Sequence, residues 1–539
     1  MSNECKKRVA RKREGQLLNE SVRSPYPIYL VEESYEDMMM TAAIIVVAIA
    51  IATAAAFAPP RPPSSRSIIV GRRRRHLRRK NIKNVDVCFV KASDSIEDND
   101  NHHLNLECKT WIFRNVHPIY YEVATDNRIC IDDPSAATAT IVPILLLNGF
   151  GVGTFHQHRL MRQLLLQSRR SCSCGEQERS RYMIYGIDYL GQGNSWPTNC
   201  DDDGLSINEC GLAYSADTWL EQLKGFIQEI VVPSCCNSSD DDEKHVGLVD
   251  TRVHLVGNSV GGYLATMIAH RHPYLVSSLT LLNATPVWGL NLPGWDGKLP
   301  PPPFPRLLGR TLFESIRNED VIDKYLEVAY VNREAFDGTF NDGFNDKDEM
   351  GRPLGKMIRA STEVKGGHAA FASILWSAPA SEQRLSTHAN NGPAASVNFY
   401  RTLSVIKVDV LLLFGANDPW CTPAIAKRMH TALASSSTSL DRLSARRYIS
   451  LENVGHCPNH EAPTALAKVL IPWLGGTSST SSNCNHDDES RSVTRRSDVS
   501  FLSGERLCEP WGVVGIREIP IEESRNLNVL DRIVSSIIG

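Results

Sequence analysis

Arg252-Val-His-Leu-Val-Gly-Asn-Ser-Val-Gly-Gly-Tyr-Leu-Ala-Thr-Met-Ile-Ala-His270 is the stretch that decides how this chain folds. Val253–Val256 is a short apolar run that reads as a buried strand, and the apolar positions from Val260 to His270 read as a helix. Between them stands Gly257-Asn-Ser-Val-Gly261, a G-x-S-x-G turn. In a strand–turn–helix elbow of this kind Ser259 takes a strained backbone, and Gly257 and Gly261 stay small so that strand and helix can approach. The turn lifts Ser259 Oγ above the sheet edge. The amide of Val260 opens the helix and points to where an oxyanion would form. A serine presented this way needs a base, an acid to orient that base, and a second oxyanion donor.

Strands and loops on either side supply candidates for each. Thr110–Phe113 and Ile119–Val123 read as a β-hairpin that opens the domain. Ile141–Leu147 is a buried strand followed by Asn148-Gly-Phe-Gly-Val-Gly-Thr-Phe155, a loop that places Phe150 to give the second oxyanion amide. The glycines at 149, 151 and 153 do not make a dinucleotide loop, because G-x-G-x-x-G needs glycine where Thr154 or His156 stands. Tyr182–Ile187 is the next strand and runs into Asp188-Tyr-Leu-Gly-Gln-Gly-Asn-Ser195; Ala213–Val231 has helical periodicity. After the elbow comes the strand Ser278–Leu282, then Asn283-Ala-Thr-Pro-Val-Trp-Gly289, where Trp288 is either a pocket wall or simple packing. From Leu290 to about Val397 the regularity breaks down into helical pieces behind Pro300-Pro-Pro-Pro303, a stiff connector. Val408–Phe414 is a strand ending at Gly415-Ala-Asn-Asp-Pro-Trp420, and Asp418 on its loop is placed to orient a base. Asn283 occupies the alternative acid position. Arg447–Leu451 is the last strand of the series and leads to Glu452-Asn-Val-Gly-His456-Cys-Pro-Asn-His-Glu-Ala-Pro463. His456 is the candidate base, with His460 as a rival further from the strand end.

The order Ser259, Asp418, His456 on successive strand ends predicts an α/β-hydrolase fold: a mostly parallel central sheet with a helical cap, about residues 290–397, inserted after the sixth strand. Residues 104–475 form that domain. Polar insertions at 168–181, 199–208 and 234–244 read as solvated loops, the acidic run Asp240–Glu243 included. The pairs Cys172-x-Cys174 and Cys235-Cys236 fall in them and lack metal-site spacing. A net charge of -3 and 42% hydrophobic residues give no sign of nucleic-acid binding, and the chemistry requires no metal or organic cofactor.

The amino-terminal region reads as targeting sequence. Residues 1–40 are a disordered or non-native extension, and Ala42–Ala58, within a segment 41–58, resembles a signal-peptide core with A-x-A cleavage sites. Phe57–Val85 has ten Arg and Lys and no acidic residue, so 59–103 reads as a transit-like stretch and polar linker. Together they form a bipartite presequence of the kind that addresses plastids through the secretory pathway. A membrane anchor with a polybasic flank is the alternative. Residues 476–539 read as a low-complexity tail, with Val529–Ile538 as a terminal helix able to dock on the body or on a membrane surface.

Gly149-Phe-Gly-Val-Gly, Gly257-Asn-Ser-Val-Gly-Gly-Tyr, Leu281-Leu-Asn-Ala-Thr-Pro-Val-Trp-Gly289, Phe371-Ala-Ser-Ile374, Gly415-Ala-Asn-Asp-Pro-Trp420 and Gly455-His-Cys-Pro458 resemble the pheophytinase and chlorophyll dephytylase group. The resemblance covers roughly residues 140–475. It implies a plastid serine esterase that cleaves the phytyl ester of pheophytin or chlorophyll, with Ser259 as nucleophile, His456 as base and Asp418 as its orienter. The partner would be a lipophilic tetrapyrrole ester, met at a thylakoid or other membrane surface, with Trp288, Trp420 and Phe371 as substrate contacts. A general carboxylesterase or lipase, or a hydrolase-fold ligand receptor, are the alternatives. The hydrophilic insertions and the extended carboxyl end depart from the family pattern and bear on substrate choice.

Overall fold

The computed structural model describes residues 96–97, 103–126, 141–172, 181–205, 211–235, 252–338, 353–381, 394–435, 444–476, 495–501 and 503–526. The segments read as targeting sequence, apart from 96–97 and 103 of the linker, the Asp240–Glu243 run and the helix expected at Val529–Ile538 lie outside these residues.

Among the described residues eleven strands form one sheet: β1 (Ile96–Glu97), β2 (His103–Phe113), β3 (His117–Asp126), β4 (Ile141–Leu147), β5 (Arg181–Ile187), β6 (Val253–Asn258), β7 (Val276–Leu282), β8 (Asp409–Gly415), β9 (Arg446–Glu452), β10 (Arg506–Glu509) and β11 (Gly512–Glu518). Their order is β1-β2-β3-β5-β4-β6-β7-β8-β9-β11-β10. The run from β5 through β4, β6, β7 and β8 to β9 is parallel, and both edges are antiparallel hairpins.

The central strands are buried almost throughout and mostly apolar because both faces of the sheet are covered. Alternate residues go to opposite sides. Leu145, Leu255, Leu279 and Leu412 join the cluster built on Trp219, Tyr263 and Phe399. Ile144, Leu146, Val256 and Leu413 join the one built on Leu160, Leu164 and Trp473. The covering helices are α1 (His158–Cys172), α2 (Ala216–Phe226), α3 (Val260–Arg271), and later α8 (Ala394–Ser404), α9 (Pro423–Ala434) and α10 (Pro463–Gly475). Between β7 and β8 stand α4 (Pro303–Ile316), α5 (Glu319–Ala329), α6 (Leu354–Ser361) and α7 (Gly367–Trp376), which form the cap. Its inner side has a small core of its own around Ile322, Leu326, Leu354 and Phe336.

The cap follows the sixth strand read from the sequence, Ser278–Leu282, which is β7 here because the two-residue β1 precedes that count. Three readings need correction. Cys235 is buried at the end of the helical run that follows α2, so that cysteine is not in a surface loop. The insertion expected from 168 begins as helix, since α1 runs to Cys172. The body does not end at 475: β11 pairs with β9, β10 pairs with β11, and α11 (Ile521–Arg525) packs on α9. Arg496 at the edge of the presumed tail is buried, 3.0 Å from the buried Asp409 carboxylate.

Candidate active site

The parallel order sends Ser259, Asp418, His456 and the Gly149–Phe150 loop off the carboxyl ends of neighbouring strands, the side on which open α/β sheets bind ligands. Ser259 sits at φ 53°, ψ -120°, a backbone region that a residue with a Cβ enters only at a cost of order 1–3 kcal/mol. Its surroundings over-determine that geometry. Ser259 N donates to the Leu282 carbonyl at 3.0 Å, and its own carbonyl accepts from Gly262, Tyr263 and Thr285 at 3.0, 3.3 and 3.2 Å. The two glycines of the elbow are forced by backbone, not by choice of rotamer. A Cβ on Gly257 would lie 2.4 Å from the Gly261 carbonyl oxygen, and one on Gly261 would lie 2.5 Å from that of Leu147.

The two amides expected to face an oxyanion, those of Val260 and Phe150, lie on either side of the serine. Val260 N opens α3, where no intrahelical acceptor exists. The loop after β4 passes directly over the serine, since a Cβ on Gly149 would lie 3.5 Å from Ser259 Cβ. The next residue, Phe150, lines the same cavity as Ser259. Gln192, from the loop after β5, fixes this segment by accepting from Gly151 N at 2.6 Å.

Asp418 is buried on the β8 loop and accepts from every side. Its Oδ2 takes His456 Nδ1 and Asn283 Nδ2, each at 2.7 Å, and its Oδ1 takes the Trp420 and Cys421 amides at 2.8 and 3.0 Å. Burial alone would raise its pKa. The charge of His456 and the hydrogen bonds from His456, Asn283 and Trp420 outweigh that and hold it below the usual carboxylate range. The His456 backbone is held as well: its N–H donates to Ala329 of the cap at 2.7 Å, and its carbonyl accepts from Asn258 Nδ2 at 3.1 Å. Trp420 packs edge-on against the His456 ring at 4.9 Å. Ser259 and His456 line one cavity. The serine hydroxyl has no hydrogen-bond partner among the described residues, and contacts of this kind tighten when the reacting group is bound.

The cavity has a volume of about 540 Å³. Phe150, Trp196, Phe313, Ile316, Ile322, Leu326, Leu354, Ile358, Phe371 and Ile374 give it an apolar wall, much of it from the cap. His156 and Tyr330 also line it and join through Nε2 and the phenol oxygen at 2.8 Å. Burial, followed by the Arg159 charge, lowers the His156 pKa to about 3, so its ring is neutral. Asp418, Cys421 and His456 are a cluster whose donor atoms lie within 4.8 Å of one another. The Asp418 oxygens are already taken by four N–H donors, which leaves the group poorly suited to a cation.

Most of the expected site residues meet here. Ser259, His456, Phe150, Trp420 and Phe371 line the cavity, while Asp418 and Val260 stand directly behind it. Trp288 does not: it is packed edge-on against Trp219 at 5.1 Å, and its Nε1 donates to Ser377. On the first cap helix Phe304 and Leu307 point to solvent, 71% and 68% exposed. His460 is also elsewhere, stacked on His156 at 4.9 Å with Nδ1 3.2 Å from the Tyr330 hydroxyl. Missed in the sequence were Asn283 as a donor to Asp418, Gln192 as a brace of the oxyanion loop, and Glu461. Asn283 carried a signal, because it stands at the alternative acid position.

Comparison with known proteins follows the geometry. Residues 144–469 match the model of the alpha/beta hydrolase family. The chain belongs to that family. Pheophytinase, chloroplastic, of Arabidopsis thaliana is 25% identical over 366 residues, which cover 61% of this chain and 60% of that protein. The chain therefore spans about 60% of the length of that relative. A proline iminopeptidase of Lactobacillus acidophilus is 24% identical over 338 residues, 62% of this chain and 89% of the enzyme. Among solved structures, a membrane phospholipase A aligns with 68% of this chain and 84% of its own at 19% identity and a TM-score of 0.38. The matched segment of this alpha/beta hydrolase holds Ser259, Asp418 and His456 but stops short of β10 and β11.

Proposed function

We propose that this alpha/beta hydrolase is a serine esterase that cleaves the phytyl ester of pheophytin or chlorophyll in plastids. The observation that carries the reading is the His456–Asp418 pair set beside Ser259 at the base of an apolar, cap-roofed cavity. His456 Nε2 takes the Ser259 proton, Oγ attacks the ester carbonyl, and the amides of Phe150 and Val260 hold the oxyanion. His456 then protonates the departing phytol, and water hydrolyses the acyl-enzyme by the same steps. Asp418 keeps the imidazole in the tautomer with its proton on Nδ1.

The cavity favours a neutral, greasy ester over a peptide amine. Among the described lining residues the ionised side chain is Arg317, already paired with Glu314 at 2.9 Å, so the lining offers no carboxylate to a protonated amino terminus. A phytyl chain gains about 0.8 kcal/mol for each CH₂ buried, and Phe371, Ile374, Leu326 and Ile358 offer the surface. The likeness to a chloroplastic pheophytinase supports the substrate class and the plastid location. The test incubates purified full chain with pheophytin, chlorophyll and their methyl-ester counterparts at constant detergent, and separates the products. Phytyl esters should exceed short esters in kcat/KM by about 100-fold, or about 2.7 kcal/mol, and Ser259→Ala should abolish turnover. Equal kcat/KM for long and short chains would leave a general carboxylesterase. Preference for glycerol esters would indicate a lipase, and binding without turnover a receptor.

A further inference from the structure

Glu461 lies five residues beyond His456, in the turn Pro458–Glu461, and its side chain is wholly buried. No step of the proposed chemistry uses it. Its contacts nevertheless converge on the base. Oε2 accepts from Gly455 N at 2.7 Å, the peptide directly before His456. Oε1 accepts from Val331 N and Asn332 N, both at 2.8 Å, and from Asn332 Nδ2 at 3.3 Å. Those two residues follow α5, inside the cap, where its chain touches the turn that carries His456. The Glu461 carbonyl accepts from Trp511 Nε1 at 2.6 Å, and Trp511 stands between β10 and β11, beyond the segment matched by the family. The cap also seats on the base itself, since Ala329 O takes the His456 amide and a Cβ on Gly455 would lie 2.0 Å from that oxygen.

We propose that Glu461 is a positioning residue for His456: its buried carboxylate ties the cap segment after α5 to the peptide that carries the base, and its main-chain carbonyl, through Trp511, ties the carboxyl-terminal hairpin to the same turn. The proposal rests on the serine-esterase reading. Four N–H donors aim at the two oxygens, so an amide in their place turns its NH₂ toward one set of donors. Either Gly455 or Val331 and Asn332 then loses an acceptor, and the Gly455–His456 peptide shifts relative to Ser259. Displacement of a catalytic group by about 1 Å can cost about 10²-fold in rate. The carboxyl-terminal hairpin thereby acts on the reaction without touching substrate.

The experiment measures kcat and KM for a p-nitrophenyl ester, and the rate of Ser259 labelling by a fluorophosphonate, on full-chain Glu461→Gln, Trp511→Phe and Asn332→Asp. Wild-type turnover that Ser259→Ala abolishes is the control, and it tests the esterase reading by itself. An inactive wild type would overturn both. With an active wild type, Glu461→Gln should lose about 10²-fold in kcat per folded molecule, with KM nearly unchanged and labelling slowed in step. Trp511→Phe removes only the indole donor, and Asn332→Asp sets a like charge against Oε1 from the cap side. Both should lose kcat in the same direction by less. A Glu461→Gln protein with lowered melting temperature and wild-type kcat would show that Glu461 serves folding alone, which overturns the proposal. Should Glu461→Gln fail to fold, wild-type kcat in both other variants overturns it equally.

Discussion

Asp418→Asn tests the site most sharply, because every contact of the carboxylate is a donor. Its Oδ1 accepts from two backbone amides, Trp420 and Cys421, which cannot be reversed. The new amide oxygen must therefore stay on that side, and the NH₂ takes the place of Oδ2. There it meets Asn283 Nδ2, whose side chain cannot simply turn over because Asn283 Oδ1 already accepts from Gly415 N at 2.9 Å. It also meets His456 Nδ1, now 2.7 Å from a donor. The imidazole escapes by moving its proton to Nε2, the nitrogen that must be bare to accept from Ser259. The corresponding change in serine proteases costs about 10⁴ in kcat, or about 5.5 kcal/mol of transition-state stabilisation. The donor left facing Asn283 should cost a further 1–3 kcal/mol or so of folding stability. Active-site titration with a fluorophosphonate, ester turnover and urea unfolding on one preparation separate the two effects. A loss of less than about tenfold in kcat, from protein shown to be folded, would mean that Asp418 does not orient the base.

Three further outcomes are expected. Gly257→Ala drives a Cβ to 2.4 Å from the Gly261 carbonyl, so strand and helix must part and the elbow should lose both stability and turnover; Gly151→Ala, where a Cβ meets nothing within 4 Å, should cost only its φ of +78°, and equal melting temperatures for the two would refute the steric account. Arg496→Ala should cost about 3–5 kcal/mol in chemical denaturation, because it strands the Asp409 carboxylate in the interior, and Asp409→Asn should restore part of that loss. Burial raises the Glu509 pKa to about 7, so the stability this group contributes is full below its ordinary value near 4.3 and is lost as pH rises through 7. Glu509→Gln should therefore melt higher than wild type at pH 8, by roughly 3 kcal/mol, and match it near pH 4.5; the same gap at both pH values would refute the linkage.

What could be read from sequence was whatever local chemistry demands. A strand that must be buried on both faces is a run such as Ile-Val-Pro-Ile-Leu-Leu-Leu, and it came out at Ile141–Leu147 in the structure with the same ends. The elbow was legible because backbone geometry dictates glycine at 257 and 261, and the candidate acid and base, Asp418 and His456, because each follows a strand at a glycine-bearing turn. Gly415 shows why: a Cβ there would lie 2.1 Å from the Gly455 carbonyl, so the loops that carry Asp418 and His456 touch through bare backbone. Such constraints leave a mark on residue type.

The parts that could not be read depend on partners far away in the chain. Trp288 has the same composition signal whether it lines a cavity or fills one, and only Trp219 and Ser377 decide that it fills. The carboxyl-terminal hairpin escaped for a related reason. Its first strand has only four residues, a charge-rich stretch precedes it, and in Arg506–Glu509 a glutamate takes an inward position, which breaks the apolar alternation. What makes them strands is the open edge of β9, to which Ile516 and Arg517 pair opposite Leu451 and Ser450. That edge lies beside the turn into His456. An element recruited to cover it is bound to stand behind the base, and Trp511 does so through Glu461. Sheet closure and support of the base are thus one solution: the strand that carries His456 would otherwise be an exposed edge, and an exposed edge is both prone to aggregation and free to move.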